Sequence, residues 1–148
     1  MDRRRFLLLS GVAAATATAG CLGDDDTPAG PEYGDWFDNV PHFEGFEDVT
    51  DREEVTVLVG AGEYGFLYEP PAITVVPGTR VRFEWTGEGG AHEVSERDDE
   101  WSNPGGLTES ADHTWERPFE EPGTHLYKCW PHRANGMKGG VFVDAHTG

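Results

Sequence analysis

The sequence predicts an all-β chain folded as an antiparallel β-sandwich. Three observations carry that expectation. Short runs rich in β-branched and aromatic residues recur along the chain, Gly/Pro turns separate them at regular spacing, and no long stretch beyond Tyr33 keeps a helical period. The 148 residues allow one domain with a tail and exclude two enzyme-sized domains.

The runs follow in order. Val55-Thr56-Val57-Leu58-Val59 is ended by Gly60-Ala61-Gly62, and Ala72–Val76 by the turn Pro77-Gly78. Arg80–Trp85 alternates polar and apolar residues, which puts Val81, Phe83 and Trp85 on one face. His113–Phe119 is closed by Glu121-Pro122-Gly123; Thr124–Cys129 and Gly140–Asp144 follow. The spacing allows about seven to eight strands. Tyr33–Thr50 holds Trp36, Phe37, Phe43 and Phe46, too many aromatics for a linker, and is expected to pack on the sandwich edge. No internal repeat is visible.

Residues 1–20 read as an export signal. Arg3-Arg4-Arg5 gives a positive start, and Phe6–Leu9 with the Ala/Thr stretch to Ala19 gives an apolar region. That region is shorter than the ~20 apolar residues of a spanning helix. Arg3-Arg4-x-Phe6-Leu7 resembles the twin-arginine export motif. Thr18-Ala19-Gly20-Cys21 resembles a lipobox, which makes Cys21 the lipid anchor and first residue of the mature chain. Ordinary signal-peptidase cleavage with Cys21 incidental is the other reading. Residues 21–32 are small, acidic and rich in Pro and Gly, the composition of a flexible tether, and 33–148 form the domain. Either way the mature chain is exported; lipidated, it sits on the outer face of the cytoplasmic membrane.

The chain carries 28 Asp and Glu against 11 Lys and Arg, a formal net charge of −17. That excludes nucleic acid as a partner, since neutralising phosphates needs a basic stripe, and excludes electrostatic binding to an anionic membrane. Only Lys128 and Lys138 are lysines. So acidic a coat suits a medium where salt screens self-repulsion. Two Cys make no multi-disulfide scaffold, so a packed core must hold the fold.

The chemistry lies in Cys129-x2-His132-x4-Met137, between two predicted strands. A thiolate, an imidazole and a thioether on one loop make a soft N/S site. A second imidazole completes His₂Cys with a weak axial Met, the ligand set of an electron-transfer copper centre. Zinc takes a thioether poorly. His92, which leaves a strand through Thr86-Gly-Glu-Gly-Gly-Ala91, is the expected second imidazole. Taken singly, each residue has a plainer reading: Cys129 as an inert thiol or a partner of Cys21, Met137 as core filler, His92 as a turn histidine. His125 is expected to be a packed core residue, and His42, His113 and His146 surface or packing residues. No Gly-x-Ser-x-Gly elbow and no phosphate loop ahead of a helix is present.

On these residues the chain resembles the plastocyanin-like cupredoxin family of blue copper proteins, and within it the halocyanins. The resemblance runs from about Tyr33 to the C-terminus. It includes Val57-x-Val59-Gly-Ala-Gly, Phe66-x-Tyr-x-Pro-Pro-Ala-Ile-Thr-Val75, Gly78-Thr79, Phe83-Glu-Trp85-Thr-Gly-Glu-Gly-Gly, Gly123 to Cys129, and Gly136-Met137-Lys138-Gly139. It implies a Greek-key sandwich and one copper per chain, held by His92, Cys129, His132 and Met137, with the Ala91 carbonyl as a further weak contact. Two positions depart from the family. Glu93 stands where Asn is usual: its backbone N–H is still available to the Cys129 sulfur, but the side-chain tie between the two ligand loops is expected to be lost or altered. Lys128 stands where plant plastocyanins have a Tyr on an acidic docking patch, so that docking surface is expected to differ. The resemblance further implies a monomeric one-electron carrier rather than an enzyme. It would exchange electrons with membrane-bound redox complexes or a terminal oxidase, through His132 as electron port in an apolar patch rimmed by Trp130, Pro131 and Met137. A copper-delivery protein is the alternative on the same ligands.

Overall fold

The protein is described by a computed structural model covering residues 30–145. The expected export signal, Cys21 and most of the expected tether lie outside these residues, as does His146.

Nine strands form among the described residues: β1 (Glu47–Asp48), β2 (Glu54–Ala61), β3 (Leu67–Glu69), β4 (Ala72–Val75), β5 (Thr79–Trp85), β6 (Ser95–Glu96), β7 (Thr114–Phe119), β8 (Gly123–Lys128) and β9 (Lys138–Val143). One sheet runs β1-β4-β9-β8-β6 and the other β3-β2-β5-β7. The fold is the expected β-sandwich, but its sheets are mixed. β2 pairs with β5, β4 with β9 and β1 with β4 in parallel, because the connections cross between sheets and set non-consecutive strands side by side. All six runs expected from the sequence are strands. β1, β3 and β6 have two or three residues, too few to show a period.

Alternation fixes the inner faces. Val55, Val57 and Val59 of β2 and Val81, Phe83 and Trp85 of β5 point inward, while Glu54, Thr56 and Leu58 point out. They meet Ile73, Val75, Tyr127, Val141 and Val143 from the other sheet in one buried cluster. Each such aliphatic side chain contributes about 1.5–3 kcal/mol by leaving water. Cys129 and Met137 belong to the same cluster, so the ligand loop is rooted in the core.

The Tyr33–Thr50 segment does more than cover an edge. Phe37 stacks on Phe43 at 4.1 Å, and with Tyr33, Trp36 and Phe46 it packs against Ala72 of β4 and Leu126 of β8, outside the first sheet. Two adjacent glycines of β9 make room on opposite faces. A Cβ at Gly139 would lie 2.5 Å from the Tyr127 ring; one at Gly140 would meet Phe37 and Phe46 at 3.2 and 3.3 Å. β8 is thus covered on both sides, and its last three residues, Leu126, Tyr127 and Lys128, are all buried.

His125 is half-buried rather than a core residue. Its ring meets Phe119 edge-on, and its Nε2 lies 2.8 Å from the Glu121 carbonyl, where the strand starts and the cover is thin.

Candidate metal centre

Two segments build the site. The first leaves β5 through Thr86–Ala91 and delivers His92, which is fully buried. His92 is held by its backbone on both sides: its N–H donates to Thr108 O and its carbonyl accepts from Thr108 N–H, both at 2.9 Å. The Trp85 indole N–H also donates to the His92 carbonyl at 3.0 Å. The ring is oriented from its far side, because Nε2 lies 2.6 Å from the Glu88 carbonyl. A carbonyl only accepts, so Nε2 carries the proton and Nδ1 offers a bare lone pair.

The second segment joins β8 to β9. Cys129 caps a 3-10 turn, Trp130–Asn135, whose Pro131 suits a first turn that needs no N–H. Gly136 ends the turn in the left-handed region, at φ 96°, where a Cβ would meet Asn39 O at 2.5 Å, so glycine is required there. The loop closes on itself: Cys129 N–H donates to Met137 O at 3.1 Å, His132 N–H to Cys129 O at 3.1 Å and Met137 N–H to His132 O at 3.2 Å. His132 is half-exposed, and its ring stacks on Phe66 at 4.5 Å.

The two segments bring three donor atoms together. His92 Nδ1 and His132 Nδ1 lie 3.2 Å apart, and the Cys129 sulfur is 3.9 and 3.5 Å from them. These are the edges of a triangle with one point roughly 2 Å from all three corners, a metal–ligand bond length. The residues therefore fit a metal. Burial pushes the Cys129 thiol up to about 11, and the Glu93 carboxylate adds to the rise; the Glu93 and His132 backbone N–H groups pull the other way by bonding the sulfur. Metals bind the thiolate, so loading releases this proton. Burial, and then the neighbouring His92, hold the His132 imidazole below its ordinary value, in the neutral form a ligand needs.

Met137 is fully buried in the core cluster with Cys129, one turn of loop from His132. It is therefore not part of a surface rim. Its backbone is tied to Cys129 and His132. Trp130, 44% exposed, and Pro131 are on the surface. Ala91 is half-buried, immediately before His92.

Glu93 keeps an altered tie between the loops. Its carboxylate accepts from the Trp130 backbone N–H at 3.3 Å, while its backbone serves the sulfur. Its carbonyl accepts from the Tyr68 hydroxyl at 2.5 Å. Two bracing residues were not legible beforehand. The Asn39 amide donates to Arg133 O and Ala134 O at 3.1 and 3.3 Å, fastening the N-terminal layer to the turn. Asn103, buried, accepts from Val94 N–H at 2.8 Å and fixes the strand beyond His92. Asn103 before Pro104, like Asn39 after Asp38, reads from sequence as an ordinary turn residue. Lys128 is buried and hydrogen-bonded, not displayed where a docking Tyr would be. His113 packs edge-on against Trp85 at 4.4 Å, and His42 is exposed.

A β-sandwich that holds one thiol and two imidazoles around a metal-sized point, with a methionine from the same loop buried in the thiol's core cluster, defines a small copper-binding protein. The plastocyanin/azurin family of copper-binding proteins matches residues 55–144, and the chain belongs to that family. It is halocyanin-like: it is 40% identical to a halocyanin of Natronomonas pharaonis over 97% of this chain and 98% of that one. A plastocyanin of Scenedesmus fuscus is 30% identical over 62% of this chain and its own whole length. Among solved structures, oxidised plastocyanin from Dryopteris crassirhizoma superposes with a TM-score of 0.49 at 25% identity, over 60% of this chain and 99% of that one. The cofactor is copper, one per chain.

Glu93→Ala removes the carboxylate tie to Trp130 and keeps the backbone bond to sulfur. Urea unfolding of the metal-free variant should show a loss of about 0.5–1.5 kcal/mol, with Glu93→Gln losing less. An unchanged midpoint for Glu93→Ala would show that the bond does not join the loops.

Proposed function

We propose that the protein is a mobile one-electron carrier on a mononuclear copper centre, working on the outer face of the cytoplasmic membrane. The observation that carries this reading is the His92–Cys129–His132 triangle, with His92 and Cys129 buried and His132 half-exposed, on two braced loops. The Cys129 thiolate, the His92 and His132 Nδ1 atoms and the Met137 thioether would hold the copper, with the Ala91 carbonyl as a further weak contact. When bound, the copper supplies a Cu(II)/Cu(I) couple. The residues hold one arrangement through both states. Glu88, Thr108 and Trp85 fix His92, and the loop's own hydrogen bonds fix Cys129 and Met137. A site that does not rearrange has little reorganisation to overcome, which is what fast electron exchange requires.

His132 is the ligand ring that reaches solvent, backed by Phe66 and beside exposed Trp130 and Pro131. It is the electron port, where a partner approaches the centre most closely. Burial of Cys129, His92 and Met137 favours retention of the metal over its delivery. The partners are membrane-bound redox complexes or a terminal oxidase. The signal in residues 1–20 supports export, and Cys21 is the lipid anchor that keeps a monomeric carrier near them.

Adding Cu(II) to the purified metal-free protein should give an intense blue thiolate-to-copper band, and Cys129→Ser should abolish it. A colourless wild-type protein, or colour that survives Cys129→Ser, contradicts the assignment.

For the anchor, Cys21→Ser should release the protein into the medium during expression in its own type of cell; membrane retention of the variant would refute lipidation at that residue.

A further inference from the structure

In a chain this acidic, the few cations are not spread evenly. Both of its lysines and two of its arginines line one groove beside the ligand loop: Arg97, Lys128, Arg133 and Lys138, with the indoles of Trp36 and Trp130. Lys128 and Lys138 are direct cross-strand partners, at the end of β8 and the start of β9. Like charges placed opposite one another destabilise a sheet.

The groove is built rather than accidental. Lys128 is 4% exposed and donates to Glu96 O at 2.9 Å, Arg97 O at 3.1 Å and Asp99 Oδ1 at 3.1 Å. It thereby neutralises Asp99, the carboxylate on the groove's rim, which also accepts from the Trp130 indole at 3.4 Å. Arg97 pairs with Asp98 at 3.5 Å. The remaining two cations meet no carboxylate at ion-pair distance among the described residues. The Arg133 guanidinium lies 4.0 Å from the Trp130 ring centre and donates to Trp130 O at 2.5 Å; the Lys138 ammonium lies 5.0 Å from the Trp36 ring centre. Each is held over an indole face, an arrangement that fixes a cation without neutralising it.

From these observations we infer that the groove is a docking site for an acidic segment of the protein that exchanges electrons with this one. The inference rests on the carrier reading for the role of that partner. Charge complementarity selects the occupant: carboxylates gain the Arg133 fork and the Lys138 ammonium, and the two indoles cover the apolar part of the segment. The chain as a whole, at a formal net charge of −17, repels such a partner, so the groove sets the orientation of the encounter as well as its strength. Arg133 follows His132 directly and Trp130 follows Cys129, so a segment seated here brings its owner against the exposed His132 edge.

The test uses a deca-glutamate peptide as probe, titrated into the copper-loaded chain at low ionic strength and followed by the indole N–H signals of Trp36 and Trp130. Both signals should shift saturably. Arg133→Gln combined with Lys138→Gln should weaken binding by about tenfold or more, while Arg52→Gln, on another face, leaves it unchanged. Absence of binding, equal binding by the double variant, or the same shifts with deca-lysine would overturn the proposal. So would sedimentation showing the groove filled by a second copy of the chain. Peptide binding is read at the indoles and the copper assignment by the blue band, so failure of one is distinguishable from failure of the other.

Discussion

Three lone pairs must be held within 3.2 to 3.9 Å of one another at a buried point, and most of the structure serves that constraint. Neither segment achieves it alone. His92 hangs from a glycine-rich turn whose backbone has many options, and Cys129 and His132 share a six-residue turn too short to be stable by itself. The sandwich resolves this by fastening each segment to rigid strands and then to each other. Trp85 and Thr108 hold the His92 backbone, Asn39 holds the turn from outside, and Glu93 links the two. The N-terminal aromatic layer, which looks like simple edge cover, is part of that bracing through Asn39.

Electrostatics divides the surface into two regimes. Most of the body is an acid coat, whose long-range field decays within about 10 Å at 0.1 M salt and faster in brine. Around the ligand loop the balance changes. His132 opens beside Trp130 and Pro131, and the chain's two lysines gather with Arg133 on the adjoining face. A carrier must dock briefly and in one orientation, and a local departure from a uniform charge is a physical means to that end.

Much of this was legible in the sequence, for identifiable reasons. The long strands announced themselves because one face of each meets the core and the other water, which writes period two into Val55–Val59 and Val81–Trp85. β8 broke the rule, because the aromatic layer covers its second face; hence Lys128 is buried and His125, at the open end, is not. The short strands β1, β3 and β6 exist only through their partners. In the site, Cys129, His132 and Met137 are close in sequence, so spacing displayed them. His92 lies far along the chain, and its signal was the glycine-rich exit from β5, which can bring a strand end to the same pole as the ligand loop. Asn39 and Asn103 carried no signal, because what makes them matter is which distant backbone they meet. The family resemblance puts Met137 at the rim, whereas the structure buries it in the core cluster, on a loop whose ends are joined by hydrogen bonds.

The central claim is that the fold, rather than the metal, sets the ligand geometry. Crystal structures of the metal-free, Cu(II) and Cu(I) forms test it most directly. The account predicts that the donor atoms of His92, Cys129, His132 and Met137 superpose within about 0.5 Å across all three. A His132 ring that swings out of the site, or a Cys129–Met137 loop that refolds when the metal leaves or is reduced, would contradict it.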